Sequence, residues 1–263
     1  MVVQARESLQ VTAGYEWVFR APGLTAEGVF ADPRLVVWRS ITERQNCTVD
    51  LADEVGRVRR LHVKRYWPAG GRETPAADEA RGIRALQGAG LATVPLVAVG
   101  ELADGRSFVI TEDLTGFRPA DKLIAEGGAS FESLLGRTAE MAARLHNAGL
   151  HHRDLYLCHF FVEADADGVT EMRLIDAARV RRLPRFLARR RWIVKDLAQF
   201  WYSTESLAVS EEQRERWLTR YSEMREGRFR EGLVGAVRRK ARAIARHDAR
   251  LKVSQPKRNV SLA

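Results

Sequence analysis

The hydrophobic periodicity of the chain changes character near residue 113, and this change limits the fold more than any other feature. Before that point the apolar residues form short runs of the strand type, separated by turns that contain Asp and Gly. The predicted strands are 35–38, 57–67, 94–101 and 106–111, and a predicted helix at 76–89 interrupts them. We therefore expect a sheet with one inserted helix in the first part of the chain.

Helical spacing dominates the second part. The apolar residues between Ser130 and Asn147 recur on one helical face, with Ser130 suited to the N-cap and Gly149 to the terminator. Only one strand pair is predicted there, at 160–162 and 172–175, with a turn at 165–168. From Trp192 onward the predicted elements are helices, including one at 231–251, followed by a loose tail at 254–263. The expected fold class is therefore α+β.

Composition places the chain among globular proteins. It has 263 residues, 45% hydrophobic and 29% charged, which is enough to build a sizeable core. No apolar run approaches the ~18 residues that a membrane span needs, and residues 1–17 lack the apolar centre of a secretory signal. The two cysteines, Cys47 and Cys158, are predicted to be free thiols. These features together predict a cytoplasmic protein.

The net charge of +9 is concentrated near the end of the sequence. Residues 228–258 hold eleven Lys or Arg against two acids, whereas the first 227 residues are balanced. A second run, 179–191, contains seven arginines and no acid. Such polarity indicates an anionic partner, with a merely solvated surface as the alternative interpretation. A nucleic-acid partner is not predicted, because aromatic residues do not interleave the basic ones in 231–258.

The order of these elements is similar to that of the two-lobed protein-kinase fold. Phosphoryl transfer in that fold needs a cation on the nucleotide phosphates, a metal that bridges them, and a carboxylate that orients the attacking hydroxyl. Lys64 lies on a predicted strand, and Glu79 lies in the helix that follows. We predict that Glu79 holds Lys64 by an ion pair and that both serve ATP. Glu112, which follows the fourth predicted strand, is a further candidate for nucleotide binding.

The segment His152-Arg153-Asp154-Leu-Tyr-Leu-Cys-His159 resembles the catalytic loop of kinases, with His159 in place of the usual Asn. The resemblance implies that Asp154 orients and deprotonates the acceptor hydroxyl, with His152 and Arg153 completing the catalytic motif. Asp176, which ends a predicted strand, would bind Mg²⁺. For His159 we predict a hydrogen-bonding brace towards Asp154 or Asp176, with direct metal contact as the competing interpretation.

The same segment also resembles the signature of the bacterial lipopolysaccharide kinase family, which comprises inner-core heptose and Kdo kinases. The resemblance continues through Leu174-Ile175-Asp176 and through Trp192-Ile-Val-Lys195-Asp196-Leu-Ala, and covers roughly residues 60–205. It implies an ATP- and Mg²⁺-dependent phosphotransferase that modifies a sugar hydroxyl, with heptose preferred over Kdo. By analogy with kinases, Asp196 would brace the catalytic loop from a buried helix, or else lie on the helix surface.

Three departures from the kinase pattern leave other functions open. Gly56 is the only glycine between 29 and 63, so no glycine-rich phosphate loop exists, and Asp176 is followed by Ala177 and Ala178. Together with His159, these departures allow a catalytically inactive kinase-like binding protein. A kinase for a soluble small molecule is the other alternative.

The sequence thus predicts an N-lobe at 1–113, a C-lobe at 114–253 and a tail at 254–263. The expected partners are a lipopolysaccharide core precursor, or another anionic glycolipid, and the anionic inner-membrane surface. We expect the helix at 231–251 to lie on that surface, with a helix packed on the C-lobe as the alternative. No oligomeric state is predicted.

Overall fold

The computed structural model describes residues 7–68, 74–165, 168–185, 187–225 and 232–254. The chain divides into two compact units. The first unit comprises Met1–Arg84 and Val94–Thr115, and the second comprises Ala85–Thr93 and Gly116–Ala263. The predicted lobe limits of 1–113 and 114–253 stay a prediction, and most of the predicted tail lies outside the described residues.

The first unit is built on one antiparallel sheet of six strands, ordered β1-β5-β6-β4-β3-β2. Its strands are β1 (Ser8–Val11), β2 (Val36–Ile41), β3 (Arg44–Ala52), β4 (Val58–Tyr66), β5 (Leu96–Glu101) and β6 (Ser107–Glu112). Its helices are a 3-10 turn (Glu16–Phe19), α1 (Gly28–Ala31) and α2 (Pro75–Gly88), of which α2 belongs to this unit up to Arg84. The four predicted strands and the predicted helix are present, whereas β1 and β3 were not predicted.

Alternation of apolar and polar residues along the central strand β4 places its apolar side chains in the core of this unit. Leu61 and Val63 of β4 are fully buried, and β4 pairs on one side with β3 and on the other with β6. Lys64 lies between Asn46 and Val109 in this register, so its side chain leaves the sheet on the face opposite to Leu61 and Val63. The sheet therefore fixes the position of Lys64 along a rigid central strand.

The second unit is mainly helical. Its helices are α3 (Ala120–Ala125), α4 (Phe131–Asn147), α5 (Leu187–Ser203), α6 (Glu211–Met224) and α7 (Leu233–Ser254), with 3-10 turns at Leu157–His159 and Ala177–Arg179. Two small sheets complete it, one of β7 (Arg118–Pro119), β9 (Phe160–Asp165) and β10 (Gly168–Leu174), the other of β8 (Leu150–His151) and β11 (Arg181–Arg182). The predicted strand pair is the β9–β10 hairpin. The antiparallel sheet of the first unit and the helices of the second confirm the α+β class.

Helix α4 leads the chain to the segment that resembles a catalytic loop. Its N-cap is Ser130, whose side chain accepts a hydrogen bond from the Ser133 amide, as predicted. Leu134 and Leu145 of its apolar face are fully buried. Gly149 follows the helix with φ +71°, a left-handed conformation that glycine adopts without steric cost. The chain then turns directly into β8.

Helix α7 corrects one expectation. Leu233 and Val237, two of the apolar residues that we expected to meet a membrane, are buried with Ala241, and the helix packs against α5. The packed alternative therefore describes this part of the helix, since its apolar stripe has a protein partner. Glu231, predicted as the first residue of the helix, lies outside the described residues. None of the described helices is long and apolar enough to span a bilayer.

Candidate functional site

Asp196 of α5 holds the backbone of the segment that follows β8. Its two carboxylate oxygens accept hydrogen bonds from consecutive amides, His152 N at 2.6 Å and Arg153 N at 2.9 Å. Asp196 is fully buried, so the helix-surface alternative for this residue is wrong. The predicted brace of the loop backbone is confirmed.

A buried network keeps Asp196 ionised. Burial alone would raise the pKa of Asp196, but hydrogen bonds from His146 and from the His152 amide bring it below its ordinary value. His146 Nε2 lies 3.3 Å from the carboxylate, and its Nδ1 lies 2.8 Å from the hydroxyl of Tyr221 on α6. The loop is thereby tied through α5 to α4 and α6.

Arg153 has a left-handed backbone with φ +73°, which is uncommon for a residue with a side chain. Its carbonyl oxygen accepts hydrogen bonds from Lys195 Nζ at 2.9 Å and Gln199 Nε2 at 2.7 Å. Helix α5 thus holds both the amide and the carbonyl of this strained residue. Such over-determined strain is typical of functional sites, because it fixes the direction of the next side chain.

That next side chain is Asp154. Its carboxylate is only 17% exposed, and both oxygens accept hydrogen bonds from Arg179 NH1, at 2.9 and 3.1 Å. Gln199 Nε2 lies 3.4 Å from Oδ1. Burial raises the pKa of Asp154 above its ordinary value, and the charge of Arg179 opposes that rise. A mostly buried carboxylate of this kind is well suited to accept a proton from a hydroxyl group.

His152 links this loop to the strand end that carries Asp176. The ring is buried, and its Nε2–H donates to the carbonyl of Ile175 at 3.0 Å. Burial lowers the pKa of His152 to about 4, so the ring is neutral near pH 7. His152 therefore holds the loop to the strand end by a hydrogen bond and carries no charge near pH 7.

Asp176 and Asp154 are joined by a single side chain, His159. Its Nδ1 lies 2.7 Å from the backbone carbonyl oxygen of Asp154, and its Nε2 lies 3.5 Å from Oδ2 of Asp176. Asp176 has φ +60°, and its side chain is 35% exposed. His159 thus occupies the bridging position predicted for a brace. Five of the predicted site residues lie together in the second unit: His152, Arg153, Asp154, His159 and Asp176.

The remaining candidates lie in the first unit. Lys64 Nζ is 2.6 Å from Glu79 Oε1, and the other oxygen of Glu79 accepts a hydrogen bond from the Tyr66 hydroxyl at 2.6 Å. Glu79 is buried, so the structure forms the predicted ion pair with little exposure to water. The carboxylate of Glu112 is held by Arg59, and a nucleotide contact through that side chain would have to compete with this pair.

Sequence reasoning missed three residues of the site: Gln199, Arg179 and Tyr66. Gln199 follows Asp196 by three positions on α5, so the two side chains share one helical face. That spacing could have identified it. Tyr66 likewise follows Lys64 by two positions on β4 and lies on the same face. Nothing in the local sequence singles out Arg179 among the seven arginines of its run.

The donor chemistry of this site suits Mg²⁺. Magnesium prefers oxygen ligands and is usually held by one or two carboxylates together with substrate phosphates. Asp176 supplies a partly exposed carboxylate, and the described residues contain no group of three His, Cys, Asp or Glu side chains that would form a complete cage. A metal shared between Asp176 and nucleotide phosphates is compatible with both observations.

Comparison with solved structures supports the fold. A crystal structure of an aminoglycoside-3'-phosphotransferase of type VIII matches with a TM-score of 0.53 and 16% sequence identity. The match covers 78% of this chain and 92% of that one. The protein-kinase-like fold predicted from the order of the elements is therefore confirmed.

Curated relatives share more sequence. The "Lipopolysaccharide core heptose(I) kinase WaaP" of Pseudomonas aeruginosa PAO1 is 31% identical over 157 residues, and the protein of that name from Escherichia coli is 31% identical over 153. The matched part is 56% and 54% of this chain, respectively, and spans 59% and 57% of the relatives' own length. The family model for lipopolysaccharide kinases matches residues 34–221, which include every candidate residue above. This chain belongs to the lipopolysaccharide kinase (Kdo/WaaP) family.

Proposed function

We propose that this protein transfers the γ-phosphate of ATP to a hydroxyl group of a heptose in the lipopolysaccharide inner core. The observation that carries the proposal is the contact of His159 with both Asp154 and Asp176. The loop that carries Asp154 is braced by Asp196. Family membership and the printed names of the relatives favour a core sugar, and heptose over Kdo, as the acceptor.

The residues divide the reaction as follows. Asp154 accepts the proton of the acceptor hydroxyl while the oxygen of that hydroxyl attacks the γ-phosphorus. ADP leaves with the electrons of the broken P–O bond. Lys64, held by Glu79, supplies a cation for the phosphates of ATP. Asp176 would hold Mg²⁺, which neutralises phosphate charge when bound. His152 and Arg153 fix the loop so that Asp154 keeps its direction.

A panel of acceptors tests this proposal. Purified protein is incubated with labelled ATP and, separately, with rough-core glycolipid, free heptose, an aminoglycoside and a generic protein substrate. We expect label on the glycolipid. Label on the aminoglycoside instead would indicate a small-molecule kinase, and no label on any acceptor would favour an inactive kinase-like protein.

The pH dependence should reveal the ion pair between Arg179 and Asp154. The base must be deprotonated, so kcat/KM falls as the pH drops through the pKa of Asp154. Arg179 lowers that pKa, so Arg179→Gln should raise it and move the acidic limb of kcat/KM to higher pH. The control Arg182→Gln, an exposed residue of β11, should leave the limb in place. Identical profiles for both variants would show that Arg179 does not act on Asp154 in the working enzyme.

The brace role of His159 predicts different results for two substitutions. His159→Asn retains a hydrogen-bonding side chain, so it should keep much of the activity. His159→Ala removes both contacts, to the Asp154 carbonyl and to Asp176, and should lose activity without a large change in the Mg²⁺ concentration required. A titration of activity with Mg²⁺ checks this. A steep rise in the requirement of the Ala variant would make His159 a metal ligand instead.

We further infer that the protein works at the cytoplasmic face of the inner membrane, attracted by charge. Helix α7 keeps four arginines exposed, Arg239, Arg242, Arg246 and Arg250. Each basic residue near an anionic bilayer contributes about 1 kcal/mol. Replacing all four by Gln should therefore weaken co-sedimentation with phosphatidylglycerol vesicles strongly, and added salt should do the same to the wild type. Salt-insensitive binding would rule out this attraction.

A further inference from the structure

A cationic cavity lies beside the catalytic loop in the second unit. Its volume is about 630 Å³, and α5 and α7 contribute most of its wall. Six of the nine lining residues are Arg or Lys and none is acidic: Arg153, Arg179, Arg190, Arg191, Lys195 and Lys240. A cavity of this composition attracts a carboxylate or a phosphate far more strongly than a neutral ligand.

The cations of this cavity are crowded together within the wall. The guanidinium of Arg153 lies 4.8 Å from the centroid of the Trp192 ring, and Lys195 Nζ lies 5.3 Å from the same ring. The buried Nε of Arg153 has no hydrogen-bond partner among the described residues. Burial and the charge of Arg179 lower the pKa of both Arg153 and Lys195. A bound anion would relieve this repulsion.

The cavity is contiguous with the catalytic carboxylate. Arg179 lines the cavity and also donates to both oxygens of Asp154. Lys195 lines it too, and holds the carbonyl of Arg153, the residue before the base. Only the side chain of Arg179 would therefore separate an anion bound there from Asp154. The anion would compete with Asp154 for the guanidinium of Arg179.

From this arrangement we propose that the cavity binds an anionic group of the acceptor saccharide, a carboxylate or a phosphate, next to the sugar that is phosphorylated. Arg191 and Lys240 hold the anion from α5 and α7. Binding draws Arg179 away from Asp154 and frees the carboxylate to accept the hydroxyl proton. This assignment rests on the proposed function, since it names the part of the acceptor that the same site recognises.

Kinetics with matched acceptors and variants test the assignment. The acceptors are deacylated core oligosaccharide, the same saccharide after dephosphorylation, and the same saccharide after reduction of its carboxylates. Arg191→Ala and Lys240→Ala remove cations from the wall, whereas Arg189→Ala removes the same charge from an exposed position that does not line the cavity. We expect both wall variants to raise the acceptor KM about 10-fold or more, with the KM for ATP and the Arg189→Ala values unchanged.

The treated saccharides distinguish the two sources of the anion. If the cavity holds a phosphate, dephosphorylation should raise the wild-type KM and remove the difference between wild type and the wall variants. If it holds a carboxylate, reduction of the carboxylates should do so. An unchanged acceptor KM in both wall variants would overturn the assignment while leaving the kinase function intact, and a raised KM for ATP alone would assign the cavity to the nucleotide.

Calorimetry without ATP separates failure of the assignment from failure of the proposed function. We expect inorganic phosphate and citrate to bind the wild type and the Arg189→Ala variant, and to bind both wall variants at least 10-fold more weakly. If calorimetry gives that result but the assay with ATP yields no phosphorylated saccharide, the anion site stands and the proposed kinase function is contradicted. Equal binding of both probes by wild type and wall variants, or no binding by wild type, would overturn the anion site itself.

Discussion

Asp154→Asn and Asp176→Asn should each abolish phosphoryl transfer while leaving the fold intact. Asparagine cannot accept the hydroxyl proton at position 154, and its amide is a weaker ligand for Mg²⁺ at position 176. Bases and metal ligands of this kind contribute ~10²-fold or more to the rate, so we expect losses of at least that size.

The fold should tolerate both changes for reasons that the structure gives. Burial raises the pKa of Asp154, which means that the charged form is already disfavoured and a neutral amide of the same shape costs little. Asp176 has φ +60°, a conformation that asparagine adopts more readily than most residues. Thermal unfolding should therefore match the wild type. Either variant with near wild-type activity would refute the role assigned to that residue.

Asp196→Ala should have the largest effect on stability. The substitution leaves the amides of His152 and Arg153 without their acceptor and removes the partner of His146 from a fully buried network. Breaking a buried charged network costs about 3–5 kcal/mol of the free energy of unfolding. Activity should fall as well, because the loop that directs Asp154 loses its support.

An exposed carboxylate provides the control for this experiment. Glu140 of α4 pairs with Arg144 at 2.8 Å, and both side chains are half exposed, so Glu140→Ala should change the free energy of unfolding by no more than about 0.5 kcal/mol. Urea unfolding of the three proteins measures the difference. A wild-type midpoint for Asp196→Ala would mean that other contacts hold the loop.

Much of the fold could be predicted because the local signals agree with the tertiary structure. Helix α4 carries its N-cap, its apolar stripe and its terminating glycine in sequence, and all three act as predicted. Strand β3 was missed although Cys47, Val49 and Leu51 alternate with polar residues and are buried, which is the pattern typical of a half-buried strand.

The site was predictable where a motif defines it and not where tertiary contacts do. The sequence predicts Asp154 and Asp176 because phosphoryl transfer needs a base and a metal ligand, whereas Asp196 was predicted only from the resemblance to kinases. It gave no indication that Arg179 contacts Asp154, since seven arginines of one run are equivalent in sequence. The apolar face of α7 was ambiguous for a similar reason, because a bilayer and a neighbouring helix select the same pattern.

The central claim is that this protein phosphorylates a heptose of the lipopolysaccharide core. Tandem mass spectrometry of core oligosaccharide after incubation with ATP and the wild-type protein tests it most directly, with the Asp154→Asn protein as the blank. We predict one added phosphate on a fragment that contains heptose, absent from the blank. An unmodified core, or a phosphate that appears equally with both proteins, would contradict the claim.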